Sequence, residues 1–321
     1  MLSGGGVLRH IRNVRNVSNI GNVGNVGSAG DVSDACDAAP VRRENFPVAS
    51  RLLPARYRRH LIAVYGFARR VDDIGDAGSE GDQGDQGDPR QPRQPRDRLR
   101  LLDAVDADLT RLYDGGEPRL PVIRALAPTI EACAIPAGPF HRLVEANRRE
   151  QTVTRYDTFE DLLASCELSA NPVGHIVLHV FGLAVPERLG LSDRICSALQ
   201  VIEHCQDVGE DFARGHVYVP GEDLRRFGCV EADLAAPSTS PCLRQVIAFE
   251  TRRAAALLDE GAPLVGTLDG FARLAVAGYV AGGRATVAAL EHGRHDVLGT
   301  TIRPHRDRLL IEWLRVLARG R

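Results

Sequence analysis

Two pairs of aspartates share one spacing. Asp72 and Asp76 close the run Tyr65-Gly66-Phe67-Ala68-Arg69-Arg70-Val71-Asp72-Asp73-Ile74-Gly75-Asp76, and Asp207 and Asp211 stand in Gln206-Asp207-Val208-Gly209-Glu210-Asp211. Residues four apart on a helix lie on one face, one turn from each other. Each pair follows an apolar or aromatic stretch, so each face looks inward, where unpaired carboxylates are costly or are driven to protonate. A cation is the natural third party. Either pair alone reads more readily as a solvated acidic face; their repetition favours a shared site. Four oxygen ligands on two facing helices make a poor zinc site and a good magnesium site, because Mg²⁺ keeps several waters and combines one or two carboxylates with phosphate oxygens. The inferred ligand is a diphosphate bridged by magnesium to both helices.

Helices are needed to hold the four acids, and the chain supplies them. Pro54 suits the first turn of the helix that carries Asp72 and Asp76, and Gly75 and Gly78 loosen its end. Apolar residues recur at three and four through Leu99, Leu102, Val105, Leu109 and Leu112. Further helices are expected over 121–133, 138–151, 157–167, 172–183, 187–212, 241–260, 268–292 and 303–319, separated by proline and glycine clusters such as Gly115-Gly116-Glu117-Pro118 and Pro136-Ala137-Gly138-Pro139. Alternating strand patterns are absent, which gives a single all-α domain over 41–321. Residues 1–40, with their Asn-Val-Gly triplets, read as a disordered low-complexity extension, and 78–97 as a flexible surface insert.

Composition narrows the chemistry. The 321 residues carry 40 basic side chains, every one arginine, against 42 acidic ones, for a net charge of −2. Without lysine there is no Schiff-base chemistry and no Walker-type phosphate loop. Without a basic field there is nothing to recruit nucleic acid. Seven widely spaced cysteines with no CxxC pair fit buried thiols in a reducing cytoplasm. No run is long and apolar enough for a membrane span, so contact with the inner face of the membrane would be peripheral. His175 and His179, four apart, lack the glutamate of a zinc-protease helix and read as packing residues; Asp103, Asp106 and Asp108 lack the glycine and terminal glutamate of a calcium loop and read as a solvated face.

The long strings around both aspartate pairs resemble the two aspartate-rich motifs of the squalene and phytoene synthases. Glu44-Asn45-Phe46-Pro47-Val48-Ala49-Ser50 and Ser169-Ala170-Asn171-Pro172-Val173-Gly174 are similar to a narrower bacterial branch of that family. The resemblance implies an all-α isoprenoid synthase fold with a central cavity, Mg²⁺ held by Asp72, Asp76, Asp207 and Asp211, and conversion of presqualene diphosphate to hydroxysqualene. Gln206, where the carotenoid-forming relatives have arginine, fits that branch, whereas Glu203 departs from the pattern on both sides. The resemblance also implies that Arg69 and Arg284 reach phosphate and that Tyr65, Phe67 and Tyr279 line the cavity, where aromatic faces stabilise a carbocation. It further implies pathway neighbours: a presqualene diphosphate synthase upstream and a hydroxysqualene reductase downstream. The rival reading is head-to-head condensation of two farnesyl diphosphates to presqualene diphosphate, squalene or a carotenoid precursor. The rival from another class is a non-catalytic helical lipid-binding or assembly protein.

Overall fold

A computed structural model describes residues 53–75, 95–299 and 302–319. The expectations for 1–40, for the 44–50 string and for nearly all of the 78–97 insert lie outside these residues. Twelve α-helices are described: α1 Ala55–Gly75, α2 Pro95–Tyr113, α3 Pro121–Cys133, α4 Ala137–Glu150, α5 Phe159–Ser169, α6 Asn171–Val180, α7 Pro186–Gln206, α8 Val208–Ala213, α9 Gly221–Arg226, α10 Pro241–Gly261, α11 Gly270–His292 and α12 Arg306–Arg319. Two 3₁₀ turns, Glu231–Ala235 and Ala262–Thr267, flank α10. No strand is present among the described residues; one isolated parallel bridge joins Arg155 and Val217.

The helix starts follow from local chemistry. Pro121, Pro186 and Pro241 occupy first-turn positions where a missing N–H costs nothing. Thr158 and Asp161 exchange bonds in a capping box that opens α5. The Ser240 hydroxyl accepts from the Leu243 N–H to start α10.

The apolar faces assemble two clusters. In one, α1 packs against α2, α3, α4 and α6 around Leu61, Phe67, Leu102, Leu109, Leu126 and Phe140. In the other, α7 lies against α5, α6, α10 and α11, with α12 laid on α11. Helix α6 belongs to both, giving Ile176 and Val177 to the first and Leu178 to the second, and Tyr279 packs against both. Asp72 therefore sits in one half and the Asp207–Asp211 segment in the other.

Three expectations need correction. The helix over 187–212 is interrupted: Asp207 (φ −99°, ψ 15°) ends α7, and α8 restarts at Val208. The hydrogen-bond ladder continues across the break, from Asp207 N–H to Glu203 O and from Asp211 N–H to Asp207 O. The bend lets α8 pack against the Glu231–Ala235 turn. Asp108 is not solvated; it is buried and accepts the Arg119 and Leu120 N–H groups, which fixes the turn before α3. Those bonds and Arg111 hold its carboxyl below the usual range although burial pushes the other way. Phe67 is wholly buried in the first apolar cluster, edge-on to Phe140 with centroids 5.2 Å apart, and does not line the apolar pocket described below.

Candidate active site

The first acid is held by α4. Asp72 is 2% exposed, and the Asn147 amide donates to its Oδ1 at 3.3 Å while also donating to the Leu143 carbonyl. Close approach of the two helices depends on Gly75. A Cβ there would collide with Asn147 Oδ1. The Gln151 side-chain amide donates to the Gly75 carbonyl at 3.0 Å, so Gly75 is a packing contact rather than a loosening of α1. Asp76 lies outside the described residues. Arg69 pairs with Asp73 at 2.9 Å, both partly exposed, and Tyr65 packs against the first apolar cluster.

The second acid group sits on a helix buried nearly all round. Ser197, Gln200, Glu203 and His204 on α7 are all buried, and Asp211 on α8 is 3% exposed; Asp207 is half-buried between them. The Gln200 amide meets His204 Nε2 at 3.1 Å, and His204 Nδ1 lies 3.5 Å from Asp211 Oδ2. The Tyr218 ring stacks on His204 with centroids 3.7 Å apart and an 11° tilt. Its hydroxyl donates to Glu150 Oε1 at 3.3 Å. Glu150 is one turn beyond Asn147 on α4, so a polar chain runs from Asp72 through Asn147, α4, Glu150, Tyr218 and His204 to Asp211, across the seam between the two clusters. Tyr218 is positioned by two extended segments, with Val217 N–H donating to Thr154 O and Gly221 N–H donating to Tyr156 O.

Other predicted residues fall into different settings. The Gln206 amide donates to the Ile302 carbonyl at 2.8 Å, fastening the end of α7 to the segment before α12. Arg284 forms an ion pair with Asp259 at 2.6 Å, joining α11 to α10. Tyr279 lines a small apolar pocket with Val173, Val177, Ile195, Leu199 and Val276. Burial pushes the Tyr279 phenol well above its ordinary value. The walls come from α6, α7 and α11. Leu199 is eight residues before Asp207, about 12 Å along α7 at ~1.5 Å per residue.

The donor set fits a hard cation. Asp72, Glu203 and Asp211 are buried carboxylates, Asp207 is half-buried, and oxygen ligands of this kind suit Mg²⁺. Glu203, the departure in the sequence, is buried like Asp72 and Asp211. Asn147, Glu150, His204 and Tyr218 carry no assignment from the sequence pattern. Asn147 leaves one signal there: it continues the Phe140, Leu143, Val144 stripe at helical spacing, which marks a polar side chain on a buried face.

The similarities agree with this architecture. The profile described as squalene/phytoene synthase matches residues 40–311. A hydroxysqualene synthase of Zymomonas mobilis is 33% identical over 218 residues, 67% of each chain. One of Rhodopseudomonas palustris is 32% identical over 70% of each. Phytoene synthase of Mycobacterium tuberculosis is 28% identical over 70% of each. In three dimensions, squalene synthase HpnC of Alicyclobacillus acidocaldarius superposes with a TM-score of 0.69 at 41% identity, covering 78% of this chain and 89% of that one. A dehydrosqualene synthase, 22% identical, shares the fold with a TM-score of 0.71 over 85% and 90%. With an all-α frame and a family match over residues 40–311, the chain belongs to the squalene/phytoene synthase family of isoprenoid synthases.

Proposed function

We propose that the protein converts presqualene diphosphate and water to hydroxysqualene and diphosphate, with Mg²⁺ at Asp72, Asp76, Asp207 and Asp211 and with Glu203 inside the same cluster. The reading is carried by one observation: the hydroxysqualene synthases align at 31–33% identity over two thirds or more of both chains. The buried carboxylates support it as an oxygen donor set.

In this reading the C–O bond of the substrate breaks heterolytically and its electron pair leaves with the diphosphate. Magnesium, when bound, supplies charge neutralisation for that leaving group. The pocket walls on α6, α7 and α11 hold the hydrocarbon and exclude bulk water, and Tyr279 presents a ring face to positive charge. One water adds to the opened cation and loses a proton. Arg69 is the chain's candidate for the diphosphate oxygens. Arg284 would have to leave Asp259 to take part. The long hydrocarbon chains of substrate and product favour peripheral contact with a membrane, and no described helix is long and apolar enough to cross one. By their chemistry, a presqualene-forming enzyme precedes this step and a reductase follows it.

Incubation of purified protein and Mg²⁺ with presqualene diphosphate should yield hydroxysqualene by mass spectrometry, and farnesyl diphosphate alone should yield nothing. Asp72→Asn and Asp211→Asn should each lower turnover by on the order of 10²-fold or more. Consumption of farnesyl diphosphate as sole substrate would assign the head-to-head condensation instead.

A further inference from the structure

Away from the acidic centre, the connection from α9 to α10 brings two thiols and a carboxylate together. One donor atom each from Cys229, Asp233 and Cys242 lies within 4.8 Å of the other two. We propose that these three side chains form a second metal site, for a thiophilic divalent cation of the zinc class.

The geometry is close to what such an ion requires. Around a tetrahedral zinc, bond lengths of about 2.3 Å to sulfur and about 2.1 Å to oxygen place S and O ligands about 3.6 Å apart and two sulfurs about 3.8 Å apart. Cys242 Sγ and Asp233 Oδ2 are 3.8 Å apart. The carboxylate is oriented by the Val230 N–H, which donates to Oδ2 at 2.9 Å, as an outer partner orients a metal ligand. Cys229 is 5% exposed, while Asp233 and Cys242 are partly exposed, which leaves an approach for the ion and a fourth position for water. The backbone offers rigid supports: Asp233 stands in the Glu231–Ala235 turn, and Cys242 in the first turn of α10, whose N-terminus favours negative charge.

A divalent ion would take two thiolates and one carboxylate, and two protons would leave for solvent. The soft sulfur ligands set this site apart from the carboxylates Asp72 and Asp211. Its consequence is local. The ion would close the 229–242 loop, and the Glu231–Ala235 turn within that loop packs against α8, which carries Asp211.

Cobalt(II) titration of the full-length reduced protein, with excess Mg²⁺ present to fill the oxygen sites, tests the proposal. The expected result is a thiolate-to-cobalt charge-transfer band saturating at one ion per chain and erased by Zn²⁺. Cys229→Ser and Cys242→Ser should abolish the band. Asp233→Asn should weaken binding by about 10–100-fold, and Cys133→Ser should leave it unchanged. A wild-type titration without the band overturns the proposal whatever the variants do. So does a band that survives the Cys229→Ser, Cys242→Ser double substitution. A thiol count on the unreduced, denatured protein that falls two short, with Cys229 and Cys242 linked, would replace the metal site with a disulfide.

Discussion

Asn147 and Tyr218 decide how the acidic centre is held, and neither is an acid. The Asn147 amide meets Asp72, and the Tyr218 ring covers His204 beside Asp211. A buried carboxylate that loses its donor keeps its desolvation cost without the compensating bond, about 1–3 kcal/mol for such a group. Asn147 is a positioning residue, so its loss should change metal binding more than the bond-breaking step. Asn147→Ala should raise the Mg²⁺ concentration for half-maximal activity by about 10–100-fold, with turnover at saturating Mg²⁺ recovering most of the wild-type rate. Asn147→Asp would add a charge instead and serves as the contrast. An unchanged Mg²⁺ requirement in Asn147→Ala would remove Asn147 from the metal-holding apparatus.

At the scale of elements, periodicity made the helices legible. The windows 121–133, 241–260 and 268–292 coincide with α3, α10 and α11 to within two residues, because proline, glycine or a serine cap marks their ends. The break at Asp207 was not legible. Nothing in Gln206-Asp207-Val208 interrupts a helix locally, and the bend follows from the tertiary contact of α8 with the 231–235 turn. The aspartate pairs were readable as spacing. Their supports on α4 and Tyr218 come from segments far off in sequence, which no local pattern joins. The close contact of α6 with α7 is likewise a tertiary fact. A Cβ at Gly174 would run into Ser192 Oγ and come within 2.6 Å of Cys196 Sγ, where the two helices wall the apolar pocket. Gly174→Ala should therefore cost about 1–3 kcal/mol of stability in denaturant unfolding and reduce turnover of a long hydrocarbon substrate. In a Ser192→Ala, Cys196→Ala background the same change should cost almost nothing, because the atoms it meets are gone. Equal costs in both backgrounds would place the effect elsewhere.

For the whole molecule, the response to pH rests on a buried charge cluster that joins α9 to α10. Asp223 and Glu250 are each 1% exposed and share one guanidinium, with Arg253 donating to Asp223 Oδ2 at 2.6 Å and to Glu250 Oε1 at 3.1 Å. Arg253 in turn lies over Phe159 of α5 and Phe249 of α10, 4.5 and 4.3 Å from their centroids, so the cluster ties three helices. One cation cannot neutralise two buried carboxylates. Burial first, and then the hydrogen bond and charge of Asp223, push Glu250 from 4.5 up to about 8, with Arg253 opposing. Between those two values the native state holds a proton that the unfolded chain has released. Stability from this group is therefore complete below the unfolded value and is lost as pH rises through the folded one. Thermal unfolding of the wild type should show this decline between about pH 5 and about pH 8. Glu250→Gln keeps a neutral side chain of the same shape at every pH, so its melting temperature should lack this decline, and the gap between the two proteins should widen towards the alkaline end. Other titrating groups are common to both proteins and cancel in the difference. Parallel curves would mean that Glu250 is ionised in the native state throughout, with Arg253 compensating both acids.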